Sequence, residues 1–219
     1  MAGLVVEWLG RVPYAEALAL QERCAEDRRA GRVPDRILLL EHQPVVTLGR
    51  GAREENLLRS RAELRARGIE VFAIARGGDV TWHGPGQLVG YPILDLAARG
   101  RRDVHRYLRE LEAALREALA RLGVAAGTLA GTTGVFAGGG AGRPRKLASI
   151  GVGVRGWVTR HGFALNVDPD LSGFDSIVPC GLSHVEMTSV ARELGPARPP
   201  DLWERSRDAV AVALLRRFG

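Results

Sequence analysis

From Lys146 to Val167 the chain reads KLASIGVGVRGWVTRHGFALNV, and this stretch constrains the fold most tightly. Apolar residues alternate with small or polar ones on both sides of a central Arg-Gly, the period of two expected of a strand with one face on a core. Together with the short GVFA segment before it, the stretch reads as an antiparallel meander. Within it, GVGVRG at 151–156 matches the dinucleotide pattern G-x-G-x-x-G. That pattern needs a strand before it and a helix opening from it. WVTRHGFAL follows instead, with β-forming residues and no helical period, so the match is rejected. The glycines read as points where another backbone, or a ligand, approaches the strand closely.

The rest of the chain supplies helices and further strands. A helical pattern covers Val12 to Arg29 and ends at Gly31. RILLLEHQPVVTLG reads as two strands broken at Pro44, which lacks the N–H a ladder needs. Ser60 and Glu63 form a capping-box pattern for a short helix ending at Gly68. IEVFAIA is expected as a buried strand and GQLVGYPILDL as another. Asp103 caps an amphipathic helix running to Leu122, and DLWERSRDAVAVALLRRF closes the chain as a helix. AGGGAGRPR at 137–145 and LGPARPP at 194–200 are loops, and neither separates two cores. The expectation is a single α+β domain over residues 1–219, a mixed and mostly antiparallel sheet flanked by helices.

Composition narrows the function. The longest apolar runs fall short of a membrane span of roughly 20 residues, and MAGLVVEWLG lacks the basic start of a signal peptide. Two cysteines, Cys24 and Cys180, make no disulfide framework and fit a reducing compartment, so a cytoplasmic protein is expected. The net charge of +6 calls for an acidic partner. Nucleic acid is the weaker candidate: the arginines alternate with glutamates on helices, and no aromatic stripe lies beside a basic run. An acidic protein is preferred.

The candidate chemistry sits in three places. RGGDVTWHGPGQLVGYP at 76–92 packs Arg76, Gly77, Gly78, Asp79, a Trp-His pair and Gly-Pro-Gly between two strands, more glycine than a plain turn needs. It reads as a ligand-binding loop. GGGAGRPRKLAS lacks the spacing of a phosphate loop, and the five histidines show no metal-ligand spacing, so no metal is expected. Cys180, in SIVPCGLSH, has Gly181 beside it to expose the sulfur; alone it is a weak signal. Lys146 strengthens it. Of 31 basic residues it is the sole lysine, and a guanidinium cannot give up a proton in a protein whereas an amine can. Beside a cysteine, a lysine can favour the thiolate or accept the thiol proton.

Three blocks in order, RGGDVTWHGPGQLVGYPILDL, KLASIGVGV and HGFALNVDPDLSGFDSIVPCGL, resemble the signature blocks of the lipoyl(octanoyl) transferases of lipoate biosynthesis. They cover residues 76–96 and 146–182. The resemblance implies a biotin/lipoate protein ligase-like fold and a dyad of Cys180 as acyl-thioester nucleophile and Lys146 as its base. It implies an acyl-substrate site formed by Arg76, Gly77, Gly78, Asp79, Val80, Thr81, Trp82, His83, Ser149, Ile150, Gly151, Gly162, Phe163 and Ala164. Trp82 stands where that family usually has Tyr, and Phe136 where Trp is common. No cofactor is implied, since the acyl donor rides on the phosphopantetheine of acyl-carrier protein and the exchange needs no ATP. The implied acceptors are lipoyl domains of 2-oxoacid dehydrogenase complexes and the glycine cleavage H protein, served by a monomer.

Overall fold

The computed structural model describes residues 3–138, 142–181 and 184–219, the side chain of Cys180 excepted. Residues 139–141 of the expected glycine-rich loop lie outside the described residues. In chain order the elements are β1 (Val5–Arg11), α1 (Tyr14–Arg29), β2 (Arg36–Glu41), β3 (Val45–Leu48), α2 (Arg61–Ala66), β4 (Glu70–Ala73), β5 (Val80–His83) and β6 (Gln87–Ile93). There follow α3 (Val104–Arg121), β7 (Ala126–Gly127), β8 (Val135–Ala137), β9 (Arg145–Arg155), β10 (Val158–Asn166), β11 (Glu186–Met187), α4 (Val190–Leu194) and α5 (Leu202–Phe218).

The expected meander is present, with β8, β9 and β10 antiparallel neighbours. The turn between β9 and β10 is two residues long, and both Gly156 and Trp157 have positive φ, the backbone of a type I′ hairpin. Gly156, the last glycine of the rejected G-x-G-x-x-G pattern, therefore makes a hairpin and not a helix. The main sheet runs β1-β2-β6-β10-β9-β8-β7, with β11 against β9. The pairs β1/β2 and β11/β9 are parallel and the others antiparallel, so the sheet is mixed and mostly antiparallel.

Two features differ from the sequence expectation. The break at Pro44 moves the chain to a second sheet, ordered β4-β3-β5. There IEVFAIA supplies β4, an edge strand with no fully buried residue, not an interior one. The N-terminal strand β1 goes unanticipated because it is a partly exposed edge, so its apolar residues follow no clean inward alternation.

The alternation of β2 shows how the layers form. Ile37 and Leu39 face a core built with α3 and α5, while Leu38 and Leu40 face α1. Asp103 caps α3 by accepting from Arg106 N at 2.9 Å, and the buried stripe Tyr107, Leu111, Ala114, Leu115, Ala118 packs against Val210, Ala213, Leu214 and Phe218 of α5. The capping box closes at α2, with Ser60 N donating to Glu63 and Glu63 N to Ser60 Oγ. Three arginines of α3 pair with glutamates on the same helix, at Arg106–Glu110, Arg109–Glu112 and Arg121–Glu117.

Glycine matters most where strands cross at close range. A Cβ on Gly162 would stand 2.2 Å from Gly90 O and 2.6 Å from Pro92 Cδ. Backbone cannot yield as a flexible side chain can, so Gly162→Ala should destabilise the protein by about 1–3 kcal/mol or more, measured by urea unfolding. A variant of wild-type stability would contradict this packing.

Candidate active site

A cleft opens between the α1 side of the main sheet and the second sheet. It is lined by Tyr14, Ile74, Arg76, Gly78, Asp79, Thr81, His83, Tyr91, Ser149, Ile150, Gly151, His161, Gly162, Phe163 and Ala164. Its atom-free space, counted out through the open mouth, is about 470 Å³. That describes a narrow slot at the lower end of ligand-pocket sizes.

Glycines and one buried cation bring the two sheets together. Arg76 Nη2 donates to Thr47 O and Thr47 Oγ1, both at 2.9 Å, and Nη1 to Gly77 O at 3.1 Å. Gly77 N donates to Val152 O of β9 at 2.8 Å. A Cβ at Gly151 would lie 2.9 Å from Gly77 O, one at Gly153 2.8 Å from Ala75 O, and one at Gly49 2.3 Å from Gly78 O. The glycines of GVGV thus do admit another backbone, that of residues 75–77.

The polar side of the slot is set by buried imidazoles. His42 bridges Val12 O (2.8 Å) and Tyr91 Oη (2.7 Å). His83 Nδ1 meets Gln87 Oε1 at 2.7 Å; Gln87 Nε2 donates to Asn166 Oδ1 at 2.9 Å, and Asn166 Nδ2 to Thr188 O at 2.9 Å. A carbonyl only accepts, so Thr188 fixes both amide orientations and makes His83 Nδ1 the protonated nitrogen. Burial holds His42 and His161 down to about 4 and His83 to about 3. Burial likewise pushes Tyr14 and Tyr91 up. His161 has φ +57, and its N–H donates to Gln21 Oε1 at 2.9 Å.

Lys146 reaches this side of the sheet through a β-bulge. Val135 pairs with Ala148 but Phe136 with Lys146, leaving Leu147 extra on β9. Leu147 and Ala148 both enter the helix-side core, and alternation then puts Lys146 on the face of Ser149 and Gly151. Lys146 is 2% exposed, and its Nζ lies 5.5 Å from the Phe136 ring centroid. A Cβ at Gly134 would touch Lys146 Cε at 2.7 Å, so glycine there makes room for the amine. Cys180 lies in a single 3₁₀ turn, Pro179–Gly181, packed against β5. Its sulfur, and so the separation from Lys146 Nζ, lies outside the described residues. Cys24 is buried on α1, with burial raising its thiol above the usual range.

The family described as "Lipoyl protein ligase A/B catalytic domain" matches residues 13–218. The chain belongs to this family. It is 56% identical over 189 residues to the octanoyltransferase of Geobacter sulfurreducens, covering 86% of this chain and 75% of that one. It is 50% identical over 200 residues to the octanoyltransferase of Myxococcus xanthus, covering 91% of this chain but 56% of that longer protein. Among solved structures, lipoate-protein ligase A bound with ATP superposes with a TM-score of 0.70 at 19% identity, over 99% of this chain and 85% of the ligase. The biotin protein ligase of Aquifex aeolicus in complex with biotin and ATP gives 0.51 at 13%, over 97% and 71%. The fold is therefore that of the lipoate and biotin protein ligases, and the sequence places the chain with the octanoyltransferases, transferases of lipoate metabolism.

Against the family's expected acyl site, the structure gathers Arg76, Gly78, Asp79, Thr81, His83, Ser149, Ile150, Gly151, Gly162, Phe163 and Ala164 on the slot, with Gly77 bonded just behind. Val80 and Trp82 depart from that list. Alternation along β5 turns their side chains into the opposite cluster, with Val46, Leu64, Phe174 and Ile177. Tyr14, Ile74, Tyr91 and His161 line the slot without having been expected there. Tyr91 was visible in the quoted block GQLVGYP; Tyr14 arrives from a distant helix start, which no local pattern reveals.

Two outcomes test this layout. Trp82→Phe should lower stability by about 1–3 kcal/mol through a cavity between Gly84 and Gly173, yet leave acyl-chain preference unchanged. A shifted chain-length profile would put the ring back in the slot. The three imidazoles are neutral when folded, but in the unfolded chain they protonate near 6.5, so the unfolded state binds more protons below that pH. Their stabilisation is complete above 6.5 and falls as pH drops toward 4, by about 3 kcal/mol for one such group. Urea midpoints measured from pH 7 to 4 should show the decline, and His161→Asn, which tolerates the left-handed backbone, should flatten it.

Proposed function

We propose that the protein transfers an octanoyl group from octanoyl-acyl-carrier protein to a specific lysine of lipoyl domains, through an acyl-thioester on Cys180 with Lys146 as base. The observation that carries this reading is the slot itself: a narrow cleft open at its mouth, with the sole lysine buried on the same sheet face. At about 0.8 kcal/mol per buried CH₂, an eight-carbon chain contributes several kcal/mol of binding there.

In the first step the Cys180 thiolate attacks the carrier's thioester carbon, and the phosphopantetheine thiolate leaves and takes up a proton. One thioester replaces another, so no ATP is consumed and no cofactor is required. In the second step the acceptor lysine amine attacks the octanoyl carbon, Cys180 leaves as thiolate, and the amine's surplus proton passes to Lys146. An arginine at 146 could supply charge but could not cycle a proton. The tetrahedral oxyanion needs fixed donors. Gly77 N is bonded to Val152 O and Gly181 N to Val178 O, so the N–H of Gly78, a residue of the slot wall, is the donor proposed for this role. The net charge of +6 suits an acidic carrier protein. The partners proposed are acyl-carrier protein as donor, and lipoyl domains of 2-oxoacid dehydrogenase complexes and the glycine cleavage H protein as acceptors. The enzyme acts as a cytoplasmic monomer.

Incubation with octanoyl-acyl-carrier protein, without ATP, should add one octanoyl mass to Cys180, read by intact-mass and peptide mass spectrometry. Lys146→Arg should lower transfer to a lipoyl domain at least about 100-fold. Label on Cys24, or transfer that demands ATP, would reject the mechanism; the latter would favour the adenylate-forming ligases of this fold.

A further inference from the structure

Asp79 grips the turn that carries Cys180 from two sides. Its Oδ1 accepts from Val80 N at 2.7 Å and Arg53 N at 3.2 Å, and Oδ2 accepts from Asn56 Nδ2 at 2.5 Å. Asn56 in turn accepts Val178 N on its own carbonyl at 2.8 Å, while Leu58 N donates to Ser176 O at 2.9 Å and Leu57 bridges Ile177. The segment 56–58 is thus a short strap laid along 176–178, immediately before the turn. Beyond it, Gly181 N closes the turn on Val178 O at 3.0 Å. Gly181 has φ +66, and a Cβ there would lie 2.8 Å from Asp79 Oδ2 and 3.3 Å from Asn56 Nδ2. The carboxylate therefore abuts the turn directly at 181 and holds it through Asn56 at 178. Charge-assisted bonds of this kind are stronger and more directional than neutral ones.

We propose that Asp79, acting with Asn56, is the positioning residue that sets the Pro179–Gly181 turn against the slot, and so aims the nucleophile at the acyl carbon. The proposal rests on the reading of Cys180 as acyl acceptor. Its physical premise is that an error of about 1 Å in the placement of a reacting group can cost on the order of 100-fold in rate. Gly181 is part of the device: only a residue without Cβ lets the carboxylate sit flush with the turn at a left-handed backbone angle.

Asn56 is absent from the slot wall, so substitution there separates positioning from substrate contact. Asn56→Asp sets carboxylate against carboxylate and releases the strap. The measurements are the rate of Cys180 acylation by the octanoyl thioester of N-acetylcysteamine, the rate of Cys180 alkylation by iodoacetamide, and the thermal midpoint. Asn56→Asp should slow acylation by about tenfold or more and change alkylation by less than about threefold. Iodoacetamide needs no seat in the slot and reports only that the thiol is present and reactive. The proposal fails if Asn56→Asp acylates at the wild-type rate. It fails if acylation and alkylation fall together with the thermal midpoint, since that describes a structural part only. Wild-type protein that takes no octanoyl on Cys180 overturns both the acyl-acceptor reading and this one; normal wild-type acylation with an indifferent variant overturns the positioning role alone.

Discussion

The site exists because a guanidinium is buried among carbonyl oxygens. Arg76 is 8% exposed and ties the central strand of the second sheet, at Thr47, to the loop that lies on β9 of the main sheet. A buried charge must keep its hydrogen-bonding partners or the fold relaxes around it, because an unpartnered one costs several kcal/mol. Removing that tie would free the second sheet to move, and with it Thr81, His83 and the strand on which the Cys180 turn packs. The surrounding glycines serve the same contact from the other direction, since a methyl group on 151 or 153 would wedge the layers apart and one on 49 would strike Gly78 O and the Arg76 guanidinium.

Much of this was legible in the chain. Alternation gives the meander, caps give α2 and α3, and the sole lysine is a side chain that the fold buries on the slot face. The glycine pattern marks a place of close approach. What stayed hidden was long-range. Nothing local distinguishes a strand that leaves its sheet at Pro44 from one that resumes in the same sheet, so the second sheet has no signature in the sequence. Treating 76–83 as a uniform ligand loop overlooked that VTWH is itself a strand, whose period sends Thr81 and His83 to the slot and Val80 and Trp82 away from it. Tyr14 and His161 come from elements far apart in sequence, brought together only by the layering.

The chemistry of the slot wall is unusual for a site read as holding a hydrocarbon. Tyr14, Tyr91, His83 and His161 place hydroxyls and imidazoles along it, and His42 lies just behind. Burial keeps each of them uncharged, so the wall is polar without carrying a formal charge except at Arg76 and Asp79. An alkyl chain can lie against neutral rings with little desolvation cost, while the bonds His83–Gln87 and Tyr91–His42 keep those two rings from rotating to fill the space.

One inserted residue decides which way the lysine points. Leu147 has no partner of its own on β8, and strands count in twos. Were Leu147 held in regular register and not bulged, alternation from Ala148 would turn the amine toward α3 and α5 among aliphatic side chains. The reactive face of this protein is therefore a matter of register: a strand that kept Leu147 but lost the bulge would bury the amine on the wrong side, whatever the identity of its neighbours.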